Sequence, residues 1–108
     1  MPKLESKVQA EIIGALSAIP GCVVTRVLTS STSGVSDLLV CYRGVFIALE
    51  VKRSEKAADP LQIAYLNSII DAGGAGAVVW NVDQAITVLM YPQLFQDKIN
   101  YIDKEFDL

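Results

Sequence analysis

Apolar residues recur at every third or fourth position near the start of the chain. This spacing follows one face of an α-helix and predicts a helix over residues 3–18. Pro20 and Gly21 end it, because proline and glycine rarely continue a helix. The apolar positions are Leu4, Val8, Ile12, Leu16 and Ile19.

Three apolar runs follow, and each predicts a β-strand: residues 22–29, 37–42 and 45–52. Only Arg43 and Gly44 separate the last two runs. A two-residue connection that contains glycine is typical of a tight β-hairpin.

A hairpin with this connection has a defined register. Tyr42 lies opposite Val45, and counting back along both strands sets Asp37 opposite Glu50. Lys52 shares their face because side chains on a strand alternate with a period of two. A connection longer by one residue would put Glu50 on the other face.

The second half predicts a helix, a strand and a helical tail. Asp59 caps a helix over residues 60–72, and residues 77–81 form a strand parallel to its neighbour, because a helix connects the two. Asp83 caps a further helix, and Pro92 starts the last one. The apolar stripe of this last helix contains Phe95, Ile99, Ile102 and Phe106.

These elements predict one α/β domain over residues 1–108, with a core over about 3–81 and a helical tail over about 83–108. The sheet is mixed and flanked by helices. The apolar stripe of the tail either packs on the core or forms a dimer contact.

Two carboxylates and an ammonium group at one end of an apolar hairpin are chemically informative. Asp37 and Glu50 repel each other, and a divalent cation such as Mg²⁺ or Mn²⁺ removes the repulsion. Lys52 then positions a water or steadies charge on a phosphate. The alternative is a cross-strand ion pair between Lys52 and one of the two carboxylates.

Composition narrows the chemistry further. The chain contains no histidine, which excludes serine–histidine and cysteine–histidine catalysis and most zinc sites. Cys22 and Cys41 lie in apolar runs and are expected to be buried, reduced thiols. No apolar run is long enough to span a bilayer and the N-terminus lacks a signal-peptide pattern, so a soluble cytoplasmic protein is expected.

Charge is distributed unevenly. The net charge is −3, but residues 1–56 contain seven Lys/Arg against five acids, whereas residues 57–108 contain two Lys against seven acids. A phosphate-binding face in the first half is therefore allowed, with modest and salt-dependent affinity for nucleic acid.

Asp37 followed by Glu50-Val51-Lys52 resembles the motif of the PD-(D/E)XK nuclease superfamily. Residues 34–40, the early helix with Glu5, and Gln62 are similar to its VRR-NUC branch. Ser36 stands where the superfamily motif has proline. The resemblance implies a restriction-endonuclease-like αβββαβ core and Mg²⁺-dependent hydrolysis of DNA phosphodiester bonds.

The resemblance also implies roles for individual residues. Asp37, Glu50 and the Val51 carbonyl would bind the metal, Glu5 would do so through water, and Lys52 would position the attacking water. Glu11 competes with Glu5 for the helix position. Gln62 either orients water or phosphate beside the site or completes the cap of its helix. The expected nucleic-acid contacts are Arg26, Ser33, Ser36 and Arg53.

Stand-alone members of the branch resemble Holliday-junction resolvases, which implies a homodimer acting on branched DNA, encoded by a phage or bacterium. Two alternatives stay open. One is a catalytically inactive nucleic-acid-binding module with the nuclease fold, and the other is an interaction domain whose charges are only ion-paired.

Overall fold

The computed structural model describes residues 3–53 and 56–100, which form a four-stranded sheet flanked by helices. The helices are α1 (Glu5–Ser17), α2 (Pro60–Asp71) and α3 (Val82–Met90), followed by one 3₁₀ turn (Pro92–Phe95). The strands are β1 (Cys22–Arg26), β2 (Leu38–Tyr42), β3 (Val45–Val51) and β4 (Ala75–Val79). Their order is β1-β2-β3-β4, and only β3 and β4 run parallel. The predicted α/β architecture is confirmed.

The β2–β3 hairpin has the predicted connection. Arg43 (φ 53°) and Gly44 (φ 78°) both adopt the left-handed conformation required at the two centres of a type I′ turn. The ladder runs from Tyr42 opposite Val45 to Leu38 opposite Leu49. The next positions along this register are Asp37 and Glu50, as the sequence predicts.

The sheet separates two apolar layers. One contains the buried stripe of α1 with α3 and alternate residues of β2, β3 and β4. Ala75 and Ala77 belong to this layer, whereas Gly76 turns the opposite way. A Cβ on Gly76 would lie 3.2 Å from the Leu66 carbonyl oxygen, so α2 packs closely on the other face. The buried residues of α2 are Ile63, Leu66 and Ile70.

Several predicted boundaries were wrong. β1 ends at Arg26, and β4 runs from Ala75 to Val79 because its pairing with β3 starts at Ala75. Asn81, and not Asp83, caps α3, since its side chain accepts a hydrogen bond from the Gln84 N–H at 2.8 Å.

The prediction of a last helix that starts at Pro92 is also wrong within the described residues. This segment is one 3₁₀ turn, and residues 96–100 are not helical. The Asn67 side chain accepts a hydrogen bond from the Ile99 N–H (2.7 Å) and donates one to the Ile99 carbonyl (3.0 Å). These bonds satisfy the two backbone groups that a helix would otherwise pair. Ile102 and Phe106 lie outside the described residues.

The cysteines differ from expectation in burial. Both are free thiols, but Cys22 is only half-buried and Cys41 is exposed. Cys41 is exposed because α2 packs mainly on β3 and β4, which leaves its face of β2 uncovered. Within the two described ranges, no helix combines the length and apolar character needed to cross a bilayer.

Gly34 fixes the loop before β2 against the first turn of α2. It has a φ of +77°, and a Cβ there would lie 2.6 Å from the Leu61 carbonyl carbon and closer still to its oxygen. Only glycine satisfies both constraints. This contact holds the loop that precedes Asp37 against the first turn of α2.

Replacing Gly34 with alanine should therefore destabilise the fold more than the same change at Gly21, which has the same φ of +77° but open space around it. The left-handed conformation costs each alanine about 1–2 kcal/mol. The overlap with Leu61 should cost Gly34→Ala about 1–3 kcal/mol more in free energy of unfolding, measured by urea denaturation. Equal losses in the two variants would show that the loop does not depend on this contact.

Candidate active site

Asp37 is held between two strands by its backbone and its side chain. The Val27 N–H donates to the Asp37 carbonyl at 2.9 Å, and the Val51 N–H donates to Oδ2 of the Asp37 carboxylate, also at 2.9 Å. These bonds orient the carboxylate toward the end of β3. Asp37 therefore lies beside Glu50, which precedes Val51.

Glu50 is a buried acid without a complete set of partners. Its side chain is 1% exposed, and no hydrogen-bond donor reaches Oε1. Its other oxygen, Oε2, lies 3.7 Å from Nζ of Lys52, whose side chain is 15% exposed. A buried carboxylate oxygen without a donor is costly, so this site suits a cation more than an empty apolar pocket.

The pKa of Glu50 reflects this environment. It is raised from 4.5 to about 8, chiefly by burial and then by the negative charge of Asp37, while the charge of Lys52 lowers it. When no cation is bound, Glu50 therefore favours its protonated form below about pH 8.

The residues present fit a Mg²⁺ or Mn²⁺ ion. Both ions prefer hard oxygen ligands, and Mg²⁺ is commonly bound by one or two carboxylates with water and substrate phosphate completing the shell. Asp37 and Glu50 supply two carboxylates. In residues 3–53 and 56–100 no group of three or more His, Cys, Asp or Glu side chains forms a metal cluster, so Glu5 is not a direct third member.

The structure separates the two helix carboxylates. Glu11 is bonded to Lys3 at 2.9 and 3.0 Å on the surface. Glu5, the first residue of α1, is half-buried, and its charge adds to the rise in the pKa of Glu50. Glu5 is therefore the helix carboxylate whose charge acts on Glu50, and its water-mediated contact with a metal stays a prediction.

Gln62 completes the cap of α2, which is the structural role predicted for it. Its Oε1 accepts from the Asp59 N–H at 2.9 Å, and the Gln62 N–H donates to the Asp59 carboxylate at 3.0 Å. This capping box fixes the first turn of α2 beside the Gly34 loop. A contact of Gln62 with water or phosphate stays a prediction.

The predicted nucleic-acid contacts differ in exposure. Ser36 is 1% exposed, and its hydroxyl donates to the Leu38 carbonyl at 3.2 Å, so it supports the start of β2 and is not accessible to DNA in this structure. Arg26 and Ser33 are exposed, and Arg53 is half-buried just after Lys52. Contacts of these three with DNA stay predictions.

Sequence reasoning missed two residues next to the site. Val27 was included in a strand, but its N–H bonds Asp37 just beyond the end of β1. Tyr65 was not assigned any role, although it follows Leu61 by one helical turn and so lies on the side of α2 that meets the Gly34 loop. The spacing of one helical turn between Leu61 and Tyr65 is the sequence signal that could have indicated this position.

Without metal, the free energy of unfolding should decrease as pH rises from about 5 to 8. Glu50 has a raised pKa of about 8 in the folded state, so the folded state binds more protons than the unfolded state in this window. The slope from this one group approaches about 1.4 kcal/mol per pH unit. Urea denaturation in EDTA should show this slope in the wild type and lose it in Glu50→Gln.

The matched control for this measurement is Glu11→Gln, which removes a surface carboxylate bonded to Lys3. It should keep the wild-type slope. If Glu50→Gln keeps the same slope as well, the environment inferred for Glu50 is wrong.

Comparison with solved structures agrees with this geometry. A structure described as "VRR_NUC domain" superposes on this chain with a TM-score of 0.68 and 29% sequence identity, covering 81% of this chain and 95% of that chain. No family model and no curated protein matches the sequence. The chain therefore has the fold of a VRR-NUC domain, which supports the resemblance to this branch of the restriction-endonuclease-like nucleases.

Proposed function

We propose that this domain is an endonuclease that hydrolyses DNA phosphodiester bonds with Mg²⁺, for which Mn²⁺ substitutes. The observation that carries the proposal is the buried Oε1 of Glu50, which has no donor and lies beside Asp37 and Lys52. If Glu50 served only in a structural ion pair, both oxygens of its carboxylate would have hydrogen-bond partners. The partnerless oxygen supports the proposal because it would be available to a cation.

The chain's own residues have distinct tasks in this reaction. A bound Mg²⁺ would supply charge neutralisation at the phosphate and a water of lowered pKa. Asp37 is held by the Val51 N–H, so it would bind the ion without reorganising. Glu50 must release its proton before it binds a cation, which makes metal affinity increase with pH up to about 8.

Lys52 is suited to hold the nucleophile or the phosphate. Its ammonium group carries three donors and lies 3.7 Å from Glu50. A long ion pair of this kind leaves donors for a water or for a non-bridging phosphate oxygen. Its cationic charge would then stabilise the negative charge that develops during hydrolysis.

Branched DNA is the proposed substrate, cleaved by a homodimer. One domain of this size has little surface for reading bases, so recognition of DNA shape is favoured over recognition of sequence. A two-fold dimer would present two sites to the two strands of a junction.

Purified protein should cleave a four-way junction or other branched DNA in Mg²⁺ or Mn²⁺ and leave it intact in EDTA, measured by denaturing gel electrophoresis. Lys52→Ala should lower the cleavage rate by about 100-fold or more, because it removes a positioned donor and charge from the site. Linear duplex of the same sequence should be cleaved more slowly.

Lys98→Ala is the matched control, since Lys98 is exposed and pairs only at the surface with Asp71 at 3.5 Å. It should keep the wild-type rate. Binding of branched DNA without cleavage in either metal would instead favour the inactive binding module, and equal rates for Lys52→Ala and Lys98→Ala would refute the assigned role of Lys52.

A further inference from the structure

A groove of about 530 Å³ lies next to the site, between the end of β1, the loop before β2 and α2. Its walls contain Thr25 and Val27 from the β1 region, Thr29, Ser30 and Thr32 from the loop, and Tyr65 from α2. It therefore combines several hydroxyl groups with apolar side chains and one aromatic ring.

The charge of the groove suits a polyanion. Among the described residues that line it, Arg26 is the only charged one and none is acidic. The whole chain, by contrast, has 12 Asp/Glu against 9 Lys/Arg. Hydroxyl groups and arginine are common donors to phosphate oxygens.

The groove lies close to the candidate active site. Val27, one of its wall residues, donates its N–H to the Asp37 carbonyl at 2.9 Å. Leu39, another wall residue, follows Asp37 by two positions, which corresponds to about 7 Å of extended chain.

Tyr65 forms the wall opposite the sheet. The contact of Gly34 with Leu61 joins the loop to α2, and Tyr65 stands one turn further along the same helix. It is half-buried, so part of the residue is accessible from solvent. An aromatic side chain in such a position is a stacking surface for an unpaired base.

We propose that this groove binds a single unpaired strand of nucleic acid beside the scissile phosphate, with a base stacked on Tyr65 and phosphates on Arg26 and the loop hydroxyls. A volume of about 530 Å³ is in the range of pockets that hold a drug-sized molecule, which suits one or two nucleotides. The position of the scissile phosphate rests on the proposed function. The groove thereby directs the nuclease to DNA in which a strand leaves the helix.

Binding in EDTA tests the groove without catalysis. Fluorescence anisotropy with a labelled single-stranded oligonucleotide should show that Tyr65→Ala weakens binding by about 10-fold, the loss expected for one stacked base. Tyr65→Phe should stay within about threefold of the wild type because the ring is retained. Tyr91→Ala, which removes an aromatic ring that is 53% exposed and lies outside the groove, is the control and should not change the affinity.

A second measurement does not depend on how the variants fold. A 5-iodouracil oligonucleotide irradiated with the wild-type protein should cross-link at Tyr65, identified by peptide mass spectrometry. Cross-links confined to other residues, or a Tyr65→Ala affinity within twofold of the wild type, would overturn the proposal.

The two proposals fail separately. Single-strand binding that depends on Tyr65, together with no cleavage in any metal, would retain the groove and refute the nuclease. Metal-dependent cleavage with no effect of Tyr65→Ala on binding would retain the nuclease and refute the groove.

Discussion

The buried carboxyl group of Glu50 beside Asp37 is the constraint on which the rest of the site depends. Burial and a neighbouring negative charge both oppose ionisation of Glu50, and one of its oxygens lacks a donor. A fold selected only for stability would replace such a group by an apolar residue. The proposed cation would offset both costs, which would account for an acid at the end of an otherwise apolar strand.

The surrounding fold keeps these groups in place from several directions. The type I′ turn sets the register of β2 and β3, the Val51 N–H orients Asp37, and the close contact of Gly34 with Leu61 fixes the preceding loop on α2. The groove that contains Tyr65 is lined by other residues of the same loop and of α2. One glycine thus links the geometry of the carboxylates to the surface proposed to receive a strand of substrate.

Sequence patterns predicted the structure correctly where it depends on residues that are close together in the chain. The Arg43-Gly44 connection predicted the hairpin register, and Asp59 with Gln62 predicted the start of α2. They failed where the structure depends on contacts between distant parts of the chain. Pairing with β3 starts β4 at Ala75, and the Asn67 side chain bonds Ile99 in a segment that is predicted as helix and is not helical. Burial of Ser36 and the proximity of Tyr65 to the site also depend on contacts between distant parts of the chain.

The most direct measurement is anomalous diffraction from crystals soaked in Mn²⁺. The account predicts a Mn²⁺ peak at coordination distance, about 2.0–2.3 Å, from one oxygen of Asp37 and from Oε1 of Glu50, with Lys52 turned away from the ion. A saturating soak that leaves this position without a peak would contradict the central claim.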